Sequence, residues 1–475
     1  MKPIVFDLDR SLSRVDTLIE QVVELALARP FSLIRLALRA KSRLDFKREV
    51  FAAVNSKPGT VPLNSGALAL LQKEAARGRE VLVASASLKQ VAESAIGEIG
   101  FAVPVLASQD VNLKGALKGS ELTRLFGKGG FDYVGDSRAD LEVWKLAHNG
   151  YLVGNKRDKI KFESIIGKPL TLIPRDGGFR SALNAMRPGH WVKNVLLFLT
   201  PLLAGSLALS TALTLAIAFV AISFVASALY LLNDVLDLKS DRMHPEKSKR
   251  AIASGLLDIR IALTLVPSLL IIGLALAVMS SGLLGLALIS TYAVLSTSYS
   301  FLLKRVPVVD VVTLSLLYVF RIIAGGLLVG IPTSFWLLTF SFLSFLALAL
   351  LKRTVELSGL QQNENLSENS MSRRGYSPKD LQWVRPLGVS LSASTILMLA
   401  LYVEDKFALG SSETLLPFLL IPIWSVWVSK LWFDERHGRV ESDPVRYALR
   451  NKFSLGLLIT LGVIYASITF LGGIE

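Results

Sequence analysis

From Tyr230 the chain reads YLLNDVLDLKSDRMHPEKSKRAIASG. Asp234, Asp237 and Asp241 stand at i, i+3 and i+7, so on a helix the three carboxylates share one face within two turns. Carboxylates gathered in this way repel one another unless a cation neutralises them. An all-oxygen set suits Mg²⁺, which keeps several waters and is normally shared with substrate phosphates. Asn233 fits the same face and could add an amide to the metal shell or orient a carboxylate. Lys247, Lys249 and Arg250 follow and supply the cations that a diphosphate leaving group needs as charge develops on it. The chemistry implied is displacement of pyrophosphate; the plainer alternative is a solvated helix end with scattered acids.

A second group of acids lies near the N-terminus. PIVFDLD (3–9) reads as a short buried strand leading into a loop with Asp7 and Asp9, and REVLVASAS (79–87) as another that ends in small hydroxyl residues, Ser85 among them. GFDYVGDSRAD (130–140) is a third, with Asp136 and Asp140 at its end. Strand ends that gather carboxylates and hydroxyls, with helical segments between them, indicate a parallel α/β sheet whose ligands sit outside the carboxyl ends of the strands. Four acids converging there again imply Mg²⁺ and phosphate.

The elements that carry these residues differ in kind. The chain has 475 residues, 52% of them hydrophobic, a mean hydropathy of +0.49 and a net charge of +14. That is too apolar for an ordinary soluble chain. The first part is ordinary soluble sequence, whereas beyond about residue 180 the charges cluster between apolar runs of about twenty residues, the length that crosses a bilayer core of about 30 Å. Nine such segments can be marked, at about 191–208, 212–232, 260–280, 283–303, 308–330, 335–352, 387–403, 414–432 and 455–473. Nineteen basic residues fall in the even-numbered loops, against Lys406 alone in the odd-numbered ones. The positive-inside rule then puts the even loops, the N-terminal domain and both acid clusters in the cytoplasm, and Glu475 outside the cell (inner) membrane. Lipid headgroups and phosphates account for the positive charge without a nucleic acid. MKPIVFDLDR is not a signal peptide, since carboxylates interrupt its apolar stretch. The absence of cysteine excludes disulfides and thiolate metal sites.

The NDxxDxxxD pattern after the second of nine helices resembles the first Asp-rich motif of the UbiA-type intramembrane prenyltransferase superfamily, over about residues 181–475. In the aromatic prenyltransferases of that superfamily a second Asp-rich motif follows the sixth helix. Here LALLKRTVELSG stands in its place, with Lys352, Arg353 and Glu356, followed by RRGYS with Arg373, Arg374 and Tyr376. Cations in that position suggest a phosphate bound directly, without a second metal. With RPGHWVKN (Arg187, Trp191, Lys193, Asn194), YSFLLKRVPVVD (Tyr299, Lys304, Arg305, Asp310) and Arg321, the pattern resembles the branch that includes decaprenyl-phosphate phosphoribosyltransferase. That resemblance implies phosphoribosyl pyrophosphate as donor and a polyprenyl phosphate as acceptor.

On this reading Asp234, Asp237 and Asp241 hold Mg²⁺ and pyrophosphate, and Lys247 and Arg250 meet the leaving group. Lys193, Lys352, Arg353 and Arg374 are candidates for the sugar 5-phosphate or the lipid phosphate, in an order left open. Arg321 is an ionisable residue within an apolar span, which normally faces a polar cavity. Asp310 lies three turns away on the same face, and either could contact ribose hydroxyls or support the cation cluster; the plainer alternative is a structural ion pair between the two. Glu356 could equally position Arg353.

The N-terminal motifs, in their order, resemble the haloacid dehalogenase-like (HAD) phosphohydrolases over about residues 1–170. The resemblance makes Asp7 the nucleophile, Asp9 the general acid/base, and Ser85 a phosphate-binding hydroxyl. It gives Lys118, with Lys114 the weaker candidate, the phosphoryl oxygens, and adds Asp136 and Asp140 to Asp7 as Mg²⁺ ligands. Arg10 departs from the family, which usually has glycine after the DxD pair. About seventy residues between the first two motifs suffice for a helical cap. Within them FSLIRLALRAKSRLDFKREVF is either an amphipathic helix meeting the membrane or a cap with a solvated basic face.

The expected architecture is therefore multidomain: an α/β Rossmann-like HAD domain with a helical cap (1–170), a linker (171–186), and an all-α, UbiA-like membrane domain of nine transmembrane helices (187–475). The expected partners are the bilayer, polyprenyl phosphate and phosphoribosyl pyrophosphate; a homo-oligomer is left open. The competing reading is a prenyltransferase that joins a prenyl diphosphate to an aromatic or other small acceptor and carries a regulatory or inactive HAD domain.

Overall fold

The computed structural model describes residues 1–54, 61–97, 99–109, 111–362, 375–407, 415–440 and 444–471. The chain divides into two compact units, one of Met1–Arg187 with Tyr230–Pro267 and the other of Pro188–Leu229 with Ser268–Glu475.

The first unit is built on six parallel strands: β1 (Ile4–Asp7), β2 (Val81–Leu88), β3 (Val105–Ser108), β4 (Asp132–Gly135), β5 (Gly150–Gly154) and β6 (Leu170–Pro174), in the spatial order β3-β2-β1-β4-β5-β6. The strands are apolar on both faces because both faces are covered. Ile4, Phe6 and Val83 pack with Leu71 on one side, and Val5, Leu82 and Tyr133 with Leu122 and Trp144 on the other. Strand order reverses at β1, which lies between β2 and β4, so the crevice beyond its carboxyl end is the switch point where such sheets bind ligands.

Between β1 and β2 run helices α1 (Thr17–Ala28), α2 (Pro30–Arg39) and α3 (Arg43–Val54). Asp16 caps α1 by accepting the Ile19 N–H at 3.2 Å. On α1, Glu20 takes a two-pronged contact from Arg242 (2.6 and 2.8 Å), and Glu24, one turn on, pairs with Lys239. Arg14 binds Asp176 at 2.8 Å and the Ser254 carbonyl at 3.0 Å. These contacts place Tyr230–Pro267 in the first unit, although the sequence reading assigned that segment to the membrane domain.

Among the described residues, six helices are long and apolar enough to cross a membrane: Leu209–Leu236, Ile259–Arg305, Val309–Leu328, Phe335–Gln361, Pro378–Asp405 and Leu416–Arg436. Nine such helices are therefore not reproduced. The second of the six carries two of the expected spans, divided where Ser281 and Gly282 leave helical geometry. The last expected span is the shorter apolar helix Lys452–Ile468. The first, at about 191–208, is not a regular span: Pro188–Phe198 winds as a 3₁₀ helix and Leu199–Leu203 adds a single turn, with Pro201 inside it. In the second unit Trp424, Trp427 and Leu431 pack with Leu351, and Val311, Leu350 and Leu357 pack with Tyr376 and Val384.

Candidate active sites

The first cluster forms where β1, β2 and β4 end side by side. Among the described residues, Asp7, Asp136 and Asp140 bring one carboxylate oxygen each within 4.8 Å of the others. Lys118 Nζ donates to Asp7 Oδ1 at 2.5 Å and to the Tyr133 hydroxyl at 3.1 Å. Tyr133 in turn donates to Asp140 Oδ1 at 2.7 Å, while Asp140 Oδ2 accepts the Asp136 and Ser137 N–H groups at 3.2 and 3.1 Å. Gly135 makes room for this: a Cβ there would lie 2.7 Å from the Asp140 carboxyl carbon. Asp9 accepts from the Thr17 N–H, the Thr17 hydroxyl and Ser87 Oγ, each at 2.8 Å, which fixes both its oxygens. Ser85 is buried, and its Oγ accepts the Ser87 N–H at 3.0 Å.

Burial dominates the electrostatics. It pushes the Asp7 carboxyl up to about 8 against the pull of Lys118, with Asp140 and Asp136 adding to the rise. Burial and then Asp140 lift Asp136 to about 6, opposed by Arg10 and Arg175. Burial works against the Lys118 ammonium, yet Asp7 and Asp140 hold it above its ordinary value. Arg10 occupies left-handed backbone (φ 61°), and its Nε lies 3.9 Å from Asp136 and 3.7 Å from Asp258. Lys47 of α3 donates to the Ala86 carbonyl at 2.6 Å and to Asn112 at 2.8 Å, beside the end of β2. Lys114 sits in the turn before the helix Ala116–Phe126.

The second cluster, also in the first unit, straddles the C-terminal end of the helix Leu209–Leu236. Asp237 breaks it, but the Asp237 N–H still reaches the Asn233 carbonyl (2.9 Å) and the Asp241 N–H reaches Asp237 (2.8 Å), so the helical register carries through. Arg250 bridges Asp234 at 3.1 Å and Asp241 at 2.7 Å, and Arg187 adds a 2.5 Å contact to Asp234. An arginine thus joins two of the three carboxylates, and the trio does not converge as Asp7, Asp136 and Asp140 do. Asp241 Oδ1 is buried with no hydrogen-bond partner among the described residues. Burial lifts the Asp241 carboxyl despite Arg250, and Lys247 pulls it down more weakly.

The remaining candidates form two clusters within the second unit. Arg321 is buried, donating to Asn194 Oδ1 and the Tyr292 hydroxyl, each at 2.8 Å, and to the Leu317 carbonyl; its guanidinium lies over the Tyr292 ring. Lys193 Nζ lies 5.8 Å from the centre of the Tyr318 ring. Asp310 does not pair with Arg321. Its carboxylate, fully buried, takes Arg353 Nε and the Tyr376 hydroxyl, both at 2.6 Å, and Arg353 also pairs with Glu356. Lys352 is half-buried beside this group on the helix Phe335–Gln362. Arg374 lies outside the described residues, as does most of the polar stretch from Gln361 to Ser370.

Sequence reasoning missed Tyr133, Thr17 and Ser87, which orient the N-terminal acids, and the grip of Arg187 on Asp234. A tyrosine inside a strand two residues before Gly135 gives no sign of facing the carboxylates; the Ser87 hydroxyl could have been paired with Asp9 by its place near the end of β2, whereas Thr17 opens α1.

Residues 195–363 match the UbiA prenyltransferase family. An uncharacterized protein, y4nM, of Sinorhizobium fredii is 32% identical over 98% of this chain and 91% of its own length, so it shares both halves. Nodulation protein NoeC of Azorhizobium caulinodans is 30% identical over 60% of this chain and 92% of that protein. Decaprenyl-phosphate phosphoribosyltransferase of Mycobacterium tuberculosis is 31% identical over 60% of this chain and 94% of its own length. With the apolar helices, these likenesses make the chain an integral membrane transferase that belongs to the UbiA prenyltransferase family.

Proposed function

We propose that the UbiA-type half transfers a 5-phosphoribosyl group from phosphoribosyl pyrophosphate to a polyprenyl phosphate, and that the N-terminal half, resembling HAD phosphatases, removes the 5-phosphate from the lipid-linked product. The observation that carries the first step is the match to a decaprenyl-phosphate phosphoribosyltransferase over 94% of that protein. Lys352, where aromatic prenyltransferases place a second acidic motif, agrees with it. The carboxyl-end cluster of the parallel sheet carries the second.

The sheet cluster fits a divalent cation as it stands, whereas the second would have to release Arg250 from Asp234 and Asp241 to take one. Asp7, Asp136 and Asp140 offer three oxygens within 4.8 Å of one another, and Asp241 offers a buried oxygen without a partner among the described residues. Asp7, Asp136 and Asp140 would hold Mg²⁺ in the sheet domain, and Asp234, Asp237 and Asp241 in the transferase. When bound, the ion neutralises phosphate charge.

In the transferase, Arg250, held between Asp234 and Asp241, is placed to turn toward departing pyrophosphate, with Lys247 beside it. The bond from ribose C1 to the pyrophosphate oxygen breaks, and a lipid phosphate oxygen forms the new bond to C1 from the opposite face. That nucleophile is already an anion, so no strong base is needed. The close Asp310–Arg353–Glu356–Tyr376 packing favours a positioning role for Arg353; Lys193, Lys352 and Arg374 stay candidates for the sugar 5-phosphate or the lipid phosphate. Arg321, held by Asn194 and Tyr292, ties the segment Pro188–Phe198 to the helices Ile259–Phe301 and Val309–Leu328.

In the sheet domain, Asp7 attacks the 5-phosphate phosphorus as its bond to the ribose 5-oxygen breaks, and Asp9, oriented by Thr17 and Ser87, protonates that departing oxygen. Asp9 then takes a proton from the water that releases phosphate from Asp7. Lys118 stabilises the phosphoryl oxygens, and Ser85 lies in the neighbouring strand β2, one residue past Ala84, which pairs with Asp7. Both sites face the cytoplasm of the inner membrane on the charge pattern of the loops.

Incubating the full chain with phosphoribosyl pyrophosphate, Mg²⁺ and decaprenyl phosphate should give decaprenyl-phosphoryl ribose by mass spectrometry. Asp7→Asn should stop at the 5-phosphate form. Coupling of a radiolabelled prenyl diphosphate to an aromatic acceptor, with no product from phosphoribosyl pyrophosphate, would overturn the proposal in favour of the aromatic transferase.

A further inference from the structure

Helix α2 is placed unlike the other helices of its unit. It packs against α1 and α3, yet none of its ten residues is buried. Phe31, Ile34 and Leu38 recur at i, i+3 and i+7, which sets them along one face. That face is open: Phe31 is 82% exposed, Leu38 83% and Ile34 57%. Arg35 and Arg39 run along its flank, and Arg29, Lys41 and Arg43 lie at its two ends, all exposed. No acidic residue occurs between Arg29 and Leu44.

We propose that this face is a membrane-surface anchor: Phe31, Ile34 and Leu38 enter the headgroup–acyl boundary of the bilayer that the chain already spans, while the arginines meet anionic headgroups. The face suits a bilayer better than a protein partner. A ten-residue helix is about 15 Å long and, one helix wide, offers on the order of 150 Å², far below the roughly 800 Å² per partner of a stable protein interface. Its unbroken run of cations around an apolar row is complementary to a surface that is anionic outside and apolar beneath, and the long arginine side chains can reach headgroups from a helix lying in the plane. The anchor would keep the sheet domain at the surface where a lipid-borne substrate travels, and it stands whether or not that domain is a phosphatase.

The absence of cysteine from the chain makes the test direct. Nitroxide labels at Phe31→Cys and Leu38→Cys, in the full chain reconstituted into vesicles of phosphatidylcholine with phosphatidylglycerol, should collide with oxygen more than with a water-soluble nickel chelate. Their immersion should be about 5–10 Å. A label at Ile160→Cys, 69% exposed in the same unit, should show the reverse. Adding Arg35→Glu and Arg39→Glu, or omitting phosphatidylglycerol, should make the immersion shallower. Labels at 31 and 38 as open to the chelate as the one at 160 would overturn the proposal. So would spin–spin broadening that vanishes on dilution with unlabelled chain, which would assign the face to a second copy. Equal immersion in phosphatidylcholine alone would overturn the headgroup role of the arginines.

Discussion

Binding of Mg²⁺ to the sheet domain should expel close to one proton at neutral pH. In the metal-free site burial holds Asp7 near 8 and Asp136 near 6. At pH 7 these groups are about 0.9 and about 0.1 protonated, and a divalent ion needs both carboxylates ionised, so about one proton leaves per ion bound. At pH 6 the figure rises to about 1.5, and at pH 9 it falls to about 0.1. Titration calorimetry of the full chain with Mg²⁺, in buffers of differing ionisation enthalpy, reads this number as a slope. Asp7→Asn removes the larger share while leaving any release from Asp241, so the difference between the two proteins isolates Asp7. A difference of zero at pH 7, or a release that grows as pH rises, would refute the reasoning. The same shift has a sign for stability. A carboxyl raised in the fold binds more protons there than in the unfolded chain, so the metal-free domain loses stability as pH rises from about 4 to about 8, and Mg²⁺ offsets the loss.

Gly135→Ala should push the Asp140 carboxyl aside and lower phosphate release from the lipid-linked product by about 100-fold, the cost of a misplacement near 1 Å, with transfer to the lipid unchanged. Arg353→Met leaves the buried Asp310 with Tyr376 alone and should cost about 3–5 kcal/mol, against about 1–3 kcal/mol for Tyr376→Phe; thermal denaturation in detergent should rank them in that order. Arg250→Ala removes the cation shared by Asp234 and Asp241 and should slow formation of the lipid product by about 100-fold or more. Because Arg250 pulls Asp241 down, its loss should also move the acid limb of the pH–rate profile to higher pH.

The N-terminal acids could be read from the sequence because each ends a short apolar strand, and a parallel sheet brings strand ends together without further information. Their partners could not. Thr17 opens a helix and Tyr133 sits inside a strand, yet they meet Asp9 and Asp140, and in the other cluster Arg187 reaches Asp234 47 positions away; residue type does not reveal which carboxylate a distant donor will meet. Asp310 and Arg321 share a helical face in sequence, yet Arg353 arrives from another helix and takes Asp310, so Arg321 turns to Asn194 and Tyr292. Hydropathy located Leu209–Leu236 and the break at Ser281, where small residues interrupt the run. It overcounted at about 191–208, because apolar composition alone does not exclude the 3₁₀ winding that begins at Pro188.

The pairing of Glu20 with Arg242 and of Glu24 with Lys239 bears on the order in which the protein is made. Domains generally fold as units while the ribosome is still extending the chain. The first unit cannot finish when Arg187 has emerged, since its remaining residues, Tyr230–Pro267, lie beyond most of the helix Leu209–Leu236. Its completion must wait for an apolar segment to be synthesised, which ties the maturation of the sheet domain to the arrival of the nascent chain at the membrane. A fragment released at Arg187 would carry Glu20, Glu24 and Arg14 to its surface without the partners supplied by the later segment.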